Sequence, residues 1–166
     1  MAKDRTGSIP DVSEILGPFL ARVSVERQPL LLALAERMAA DRYRSWATMA
    51  TDDATREGLL ACASREEEIA GRIEALEPEA STIQREIRSA VPEIDEINRS
   101  VFADRPVTEQ YAIQAQGERL GAATWRSFAV RADSEAVRRT LLVCATLEEQ
   151  SAAFVESILT DSATST

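Results

Sequence analysis

The sequence predicts an all-α fold, and three observations carry that prediction. Alanine and leucine are abundant while aromatic residues make up only 5% of the chain, a composition that suits helices better than a sheet. Apolar and small residues recur in alternating steps of three and four along four separate stretches, which places each set on one stripe of a helix. The chain also repeats itself. At an offset of 82, residues 36–76 align with residues 118–158, and seventeen of the 41 pairs are identical. "ERMAADRYRSWATMA" meets "ERLGAATWRSFAVRA", and "LLACASREEEIAG" meets "LLVCATLEEQSAA".

A repeat of this length implies two copies of one supersecondary unit, each covering the other's apolar face. Each unit reads as a helical hairpin. The first arm of the first copy has the seam Pro29, Ala33, Glu36, Ala40, Tyr43, Ala47, Ala50, and the second has Thr55, Leu59, Cys62, Glu66, Ile69, Ile73, Leu76. The other copy gives Tyr111, Ala115, Glu118, Ala122, Trp125, Ala129, Ala132, then Val137, Leu141, Cys144, Glu148, Ser151, Val155, Ile158. Short polar clusters at Thr51-Asp52-Asp53 and Asp133-Ser134 mark the hairpin turns, with Asp and Ser available as N-caps.

Between the units, Pro78, Pro92 and Pro106 punctuate a connection in which "ASTIQREIRSA" and "EIDEINRS" read as short helices. About 30 residues are ample to run the length of a bundle whose arms measure ~35–40 Å. The amino end carries a candidate short helix, "DVSEILGPFLARVSV", expected to break at Gly17-Pro18. Its apolar positions Val12, Ile15, Leu16, Phe19, Leu20 and Val23 would dock either on the chain's own bundle or on a second subunit. The expected organisation is an N-terminal arm and short helix at 1–27 and a four-helix bundle at 28–160. The bundle divides into a hairpin at 28–76, a crossover at 77–108 and a hairpin at 109–160. A disordered tail at 161–166, "DSATST", follows.

Composition narrows the function classes. The net charge of −9 argues against nucleic acid and anionic membrane surfaces as partners. The start "MAKDRTGSIPDVSE" is polar, and no apolar run reaches the ~20 residues that span a bilayer. Two cysteines, Cys62 and Cys144, do not make a secreted disulfide framework. Basic charge is nearly all arginine, with Lys3 the only lysine. A cytoplasmic protein of a GC-rich bacterium is the expectation, as a homodimer with room for another protein partner.

Each seam carries one glutamate: Glu36, Glu66, Glu118 and Glu148. Glu36 and Glu66 lie fifteen residues either side of Thr51, and Glu118 and Glu148 fifteen either side of Asp133. Equal distance from a hairpin loop means equal height, so each pair should face across its hairpin. If the crossover runs the bundle's length, four carboxylates converge near the middle.

The repeat, the crossover and these seam glutamates resemble the ferritin-like superfamily, above all its rubrerythrin-type di-iron domains. The resemblance covers roughly residues 30–159. It implies a bundle with two metals in its core, each hairpin giving a glutamate from its first arm and a Glu-x-x-His step from its second. Glu36 and Glu118 match the first-arm ligands, Glu66 and Glu148 the glutamates of the step. Tyr43 and Trp125 match the aromatic seven residues further on. The histidine positions fall on Ile69 and Ser151, and the chain has no histidine at all.

Two outcomes follow for such a site. A carboxylate-only cage favours a hard divalent cation, Mn²⁺, Mg²⁺ or Ca²⁺ before iron. Alternatively the site binds no metal, with Glu36 and Glu66 taking up Arg37, Arg44 or Arg119 or sharing protons. Ile69 makes its half dry, and Ser151 would hold a water or a weak polar contact. Cys62 and Cys144 read as small buried hydrophobes, and Tyr43 and Trp125 as fillers of space beside the alanines, with a redox relay as their other reading. Arg37, Arg119, Arg44, Arg126, Glu67 and Glu149 read as flanking ion pairs or solvated faces. The preferred expectation is a ferritin-like protein with a degenerate di-metal site, no cofactor, and a binding or structural role. Its rivals are a metal-dependent oxidoreductase using the four glutamates and a binder of small molecules beside Ala40, Ala47, Ala122 and Ala129.

Overall fold

The computed structural model describes residues 9–164. Among these, all regular structure is helical. Helix α1 (Val12–Leu20) and a single 3₁₀ turn (Val25–Arg27) lead into α2 (Gln28–Met49), followed by α3 (Asp53–Glu74). Helices α4 (Ala80–Ala90) and α5 (Ile94–Phe102) form the connection to α6 (Val107–Val130) and α7 (Glu135–Thr164). Among the described residues, no helix is long and apolar enough to cross a membrane.

Local chemistry explains where the helices begin and end. The Asp52 carboxylate accepts from the Thr55 backbone N–H and opens α3, and the Ser134 hydroxyl accepts from the Val137 N–H and opens α7; each satisfies a donor that the first turn leaves orphaned. Pro29 sits in the first turn of α2, where its missing N–H is harmless. Asp104 stands between α5 and α6 with φ 59°, a left-handed conformation that Asp tolerates better than most residues.

Two expectations fail. The helix at the amino end does not break at Gly17-Pro18: α1 runs through Pro18 to Leu20. Proline removes one helical hydrogen bond, but the burial of Val12 and Phe19 on the chain's own core holds the turn in place. The expected tail does not begin at Asp161, because α7 continues to Thr164. No Gly or Pro follows Leu159 to stop it; residues 165 and 166 lie outside the described chain.

Helices α2 and α3 pack against each other along their length, as do α6 and α7, and α3 lies beside α7. The apolar core falls into two groups. One gathers Leu30, Leu34, Ile69, Ile73, Trp125, Phe128 and Leu141, from the start of α2, the end of α3, the end of α6 and the start of α7. The other gathers Tyr43, Trp46, Leu59, Tyr111 and Val155 from the opposite ends of the same helices. This partition is what antiparallel neighbours produce when something polar interrupts the core between them.

The connection is part of the core. Residues 30–34 of α2 are buried in unbroken succession, which a helix with one wet face cannot achieve. Helix α4 packs on α2 and supplies Ile87, with Val91 and Ile94 beyond it. Replacing Ile87, 2% exposed, by alanine is expected to cost about 2–5 kcal/mol. Urea denaturation at unchanged slope reads this; a loss below about 0.5 kcal/mol, the range of surface substitutions, would contradict packing of the crossover on α2.

Candidate functional site

Glu36 of α2, Glu66 of α3, Glu118 of α6 and Glu148 of α7 are all buried, at 9, 0, 2 and 1% exposure. Glu36, Glu66 and Glu148 each present an oxygen within 4.8 Å of the other two. Glu118 is held differently. Its Oε1 accepts from the Tyr43 hydroxyl at 2.6 Å and from the Gln114 amide, also at 2.6 Å. Glu148 Oε1 accepts from the Trp125 indole N–H at 2.8 Å, and Glu66 Oε1 from the Ser151 hydroxyl at 2.8 Å. The Oε2 atoms of Glu66 and Glu118 are buried with no hydrogen-bond partner, and a buried polar atom in that state is costly.

The backbone makes room for this arrangement. A Cβ on Gly121 of α6 would stand 2.5 Å from Glu148 Oε1, so any other residue there displaces the carboxylate. The repeat places Ala39 at the matching position of α2, and no such accommodation was read from the sequence.

Charge makes the centre unusual. Burial, then the neighbouring charge of Glu118, pushes Glu36 up to about 8, and hydrogen bonds shared with Glu148 and Glu66 pull it part of the way back. Burial raises Glu66 and Glu148 well above the ordinary carboxylate range, and in both the nearby glutamates add to it. These are the desolvation and like-charge effects expected of clustered acids in an apolar interior. Burial also raises the Tyr43 hydroxyl, helped by Glu118, so Tyr43 remains a donor.

The arginines expected to neutralise the cluster do not reach it. Arg37 pairs with Glu67 and Glu74, Arg44 with Asp41 and Glu67, and Arg119 with Glu156. Each follows a seam position by one residue, which turns it about 100° away from the core. The flanking pairs expected from the repeat are present, with Arg44–Glu67 at 3.0 Å and Arg126–Glu149 at 2.7 Å. A cation close behind the carboxylates, Arg42, carried no signal in the sequence. Arg42 donates to Gln114 Oε1 at 2.9 Å and to Asn98 Oδ1 at 2.7 Å, and lies 3.8 Å from the Phe102 ring centroid. By holding the Gln114 carbonyl, Arg42 turns that amide's N–H₂ toward Glu118. Burial brings Arg42 down to about 10, so it stays charged at neutral pH.

Tyr43 and Trp125 are therefore hydrogen-bond donors to the carboxylates as well as packing residues. Ser151 likewise donates its hydroxyl to Glu66. Ile69 is fully buried among aliphatic and aromatic side chains. Cys62 and Cys144 are free and buried, with burial pushing both thiols up to about 12, where a thiol is inert. Gln114 could have been found, since it precedes Glu118 by four residues on the same helical face. Asn98, on the crossover, carried no signal.

No protein-family model, no curated protein and no solved structure matches the chain.

A pH dependence follows. Glu36 loses its proton near 4.5 in the unfolded chain and near 8 in the folded one, and Glu66 and Glu148 shift in the same direction. Between those values the folded state binds protons that the unfolded chain has released. The stability they contribute is complete below 4.5 and is lost as pH rises to about 8. Urea midpoints of cation-free protein should fall steadily across this window; a flat or rising midpoint would show that the glutamates fold ionised.

Proposed function

We propose that the protein is a ferritin-like, rubrerythrin-related four-helix bundle whose carboxylate centre holds one hard divalent cation, in a binding or structural role. The observation that carries this reading is the buried, unpartnered Glu66 Oε2, in a residue that offers an oxygen within 4.8 Å of two other carboxylates. Ligands on opposite sides of an ion with bonds of ~2.1–2.5 Å are about 4–5 Å apart, so one ion fits the spacing without rebuilding the site.

The donor set favours a particular chemistry. Every available ligand is a carboxylate oxygen, and oxygen-only sites suit Mn²⁺, Mg²⁺ and Ca²⁺. A second metal at the other half would have only Oε2 of Glu118 to draw on, since its Oε1 already has two donors. It would also need nitrogen ligands where Ile69 and Ser151 stand. The residues therefore do not fit the two-metal redox centre of the resembled family. They fit a cation that replaces shared protons, tying together three helices.

Addition of Mn²⁺ to chelator-stripped protein tests this. About one equivalent should bind, with stabilisation of about 2.7 kcal/mol at a hundredfold excess over Kd. Glu66→Gln should abolish binding and yet stabilise the cation-free protein by about 1–3 kcal/mol at neutral pH, because it removes an acid that must take up a proton to fold. No binding at about 1 mM Mn²⁺, together with a stabilised Glu66→Gln, would leave a proton-sharing cluster without a metal.

A further inference from the structure

Beside the carboxylates lies a partly open cavity of about 330 Å³, bordered by α1, α2, α5 and α6, with Glu148 of α7 at one side. Val12, Leu16 and Phe19 of α1, Ile97 and Phe102 of α5 and Ile113 of α6 give it hydrocarbon walls. Three core glutamates, Glu36, Glu118 and Glu148, also line it, and Glu66 does not. Arg42 is the cationic side chain of this lining, and its guanidinium is engaged with Gln114, Asn98 and the Phe102 ring.

Two observations indicate a space kept open for a ligand. Gly117 lines the cavity in mid-α6, where glycine costs about 1 kcal/mol relative to alanine. No heavy atom of another part of the protein lies within 4 Å of the place its Cβ would take. Close packing therefore does not demand glycine there, in contrast to Gly121 one turn on. The second observation is Glu118 itself, 2% exposed, with Oε2 buried and unpartnered. An apolar chamber with an unsatisfied acid in its wall calls for a ligand that is greasy over most of its surface and cationic at one end.

We propose that this cavity binds a small organic ammonium ion with an apolar body, its ammonium group hydrogen-bonded to Glu118 and its body lying along α1 and α5. An apolar cavity of about 150 Å³ accommodates benzene, so the present volume corresponds to a ligand of roughly ten to fourteen heavy atoms. An alkylammonium group ionises near 10.4, about where lysine does, and carries its charge throughout the neutral range. The site uses Glu118 and the cavity, and requires no metal.

Three probes of equal length and different head groups test the proposal on chelator-treated, full-length protein: phenylbutylamine, phenylbutanol and phenylbutyrate. Calorimetric titration should find the amine bound at least tenfold more tightly than the alcohol, and the carboxylate weakest. Gly117→Leu should fold with an equal or higher melting temperature and lose amine binding by at least tenfold. Glu118→Gln should bring amine and alcohol within about threefold of each other, each 1.4 kcal/mol being a factor of ten. Equal binding of amine and alcohol, tighter binding of phenylbutyrate, binding of none of the three, undiminished binding to Gly117→Leu, or a preference unchanged in Glu118→Gln would each overturn it. Because no metal is present, a failure of Mn²⁺ binding leaves these results unaffected.

Discussion

The constraint on which the rest of the molecule depends is the burial of four glutamates at one level of an apolar interior. An isolated ionised carboxylate in such surroundings would cost far more than the few kcal/mol by which a domain is stable. The fold meets this in three ways. Four neutral donors, from Tyr43, Gln114, Trp125 and Ser151, are aimed at carboxylate oxygens. Arg42 supplies a positive field from behind Gln114. What these leave over is met by raised proton affinity, seen at Glu36, Glu66 and Glu148. The division of the apolar core into two groups on either side of this layer is the packing consequence.

A duplicated sequence has not given a symmetric centre. Tyr43 and Trp125 occupy matching positions, yet Tyr43 donates across to Glu118 of the other helix pair, whereas Trp125 donates to Glu148 within its own. The phenol hydroxyl extends along the ring axis and the indole N–H leaves from its side, so equivalent backbone positions reach different acceptors. Ser151 bonds to Glu66, while its counterpart Ile69 only packs. Gly121 admits Glu148, where Ala39 has a methyl group. These differences give Glu118 two donors of its own, and Glu36, Glu66 and Glu148 form the compact group. The differences between the two copies shape what the centre can hold.

Much of this was legible in the residues because helical periodicity and loop spacing are local signals. The limits of α4 coincide with "ASTIQREIRSA", since Pro78 and Pro92 bracket an amphipathic run. The burial of Glu36, Glu66, Glu118 and Glu148 followed from stripes counted outward from two capped turns. The partners of those acids were less accessible. Arg37 and Arg119, offered both as partners of the acids and as flanking ion pairs, form the surface pairs, because adjacent residues on a helix diverge. Arg42 and Asn98 meet through a tertiary contact between α2 and α5 that no spacing encodes. Pro18 misled because a proline's effect depends on whether packing overrides it.

The central claim, that protons hold Glu36, Glu66 and Glu148 neutral until a cation replaces them, is most directly tested by infrared spectroscopy of the carboxyl groups. Chelator-treated protein at neutral pH should show the C=O stretch of protonated, buried carboxylic acids, weakened in Glu66→Gln. Addition of Mn²⁺ should convert that band to carboxylate absorption. A spectrum containing only ionised carboxylates before the metal is added, or a protonated band indifferent to Mn²⁺, would contradict it.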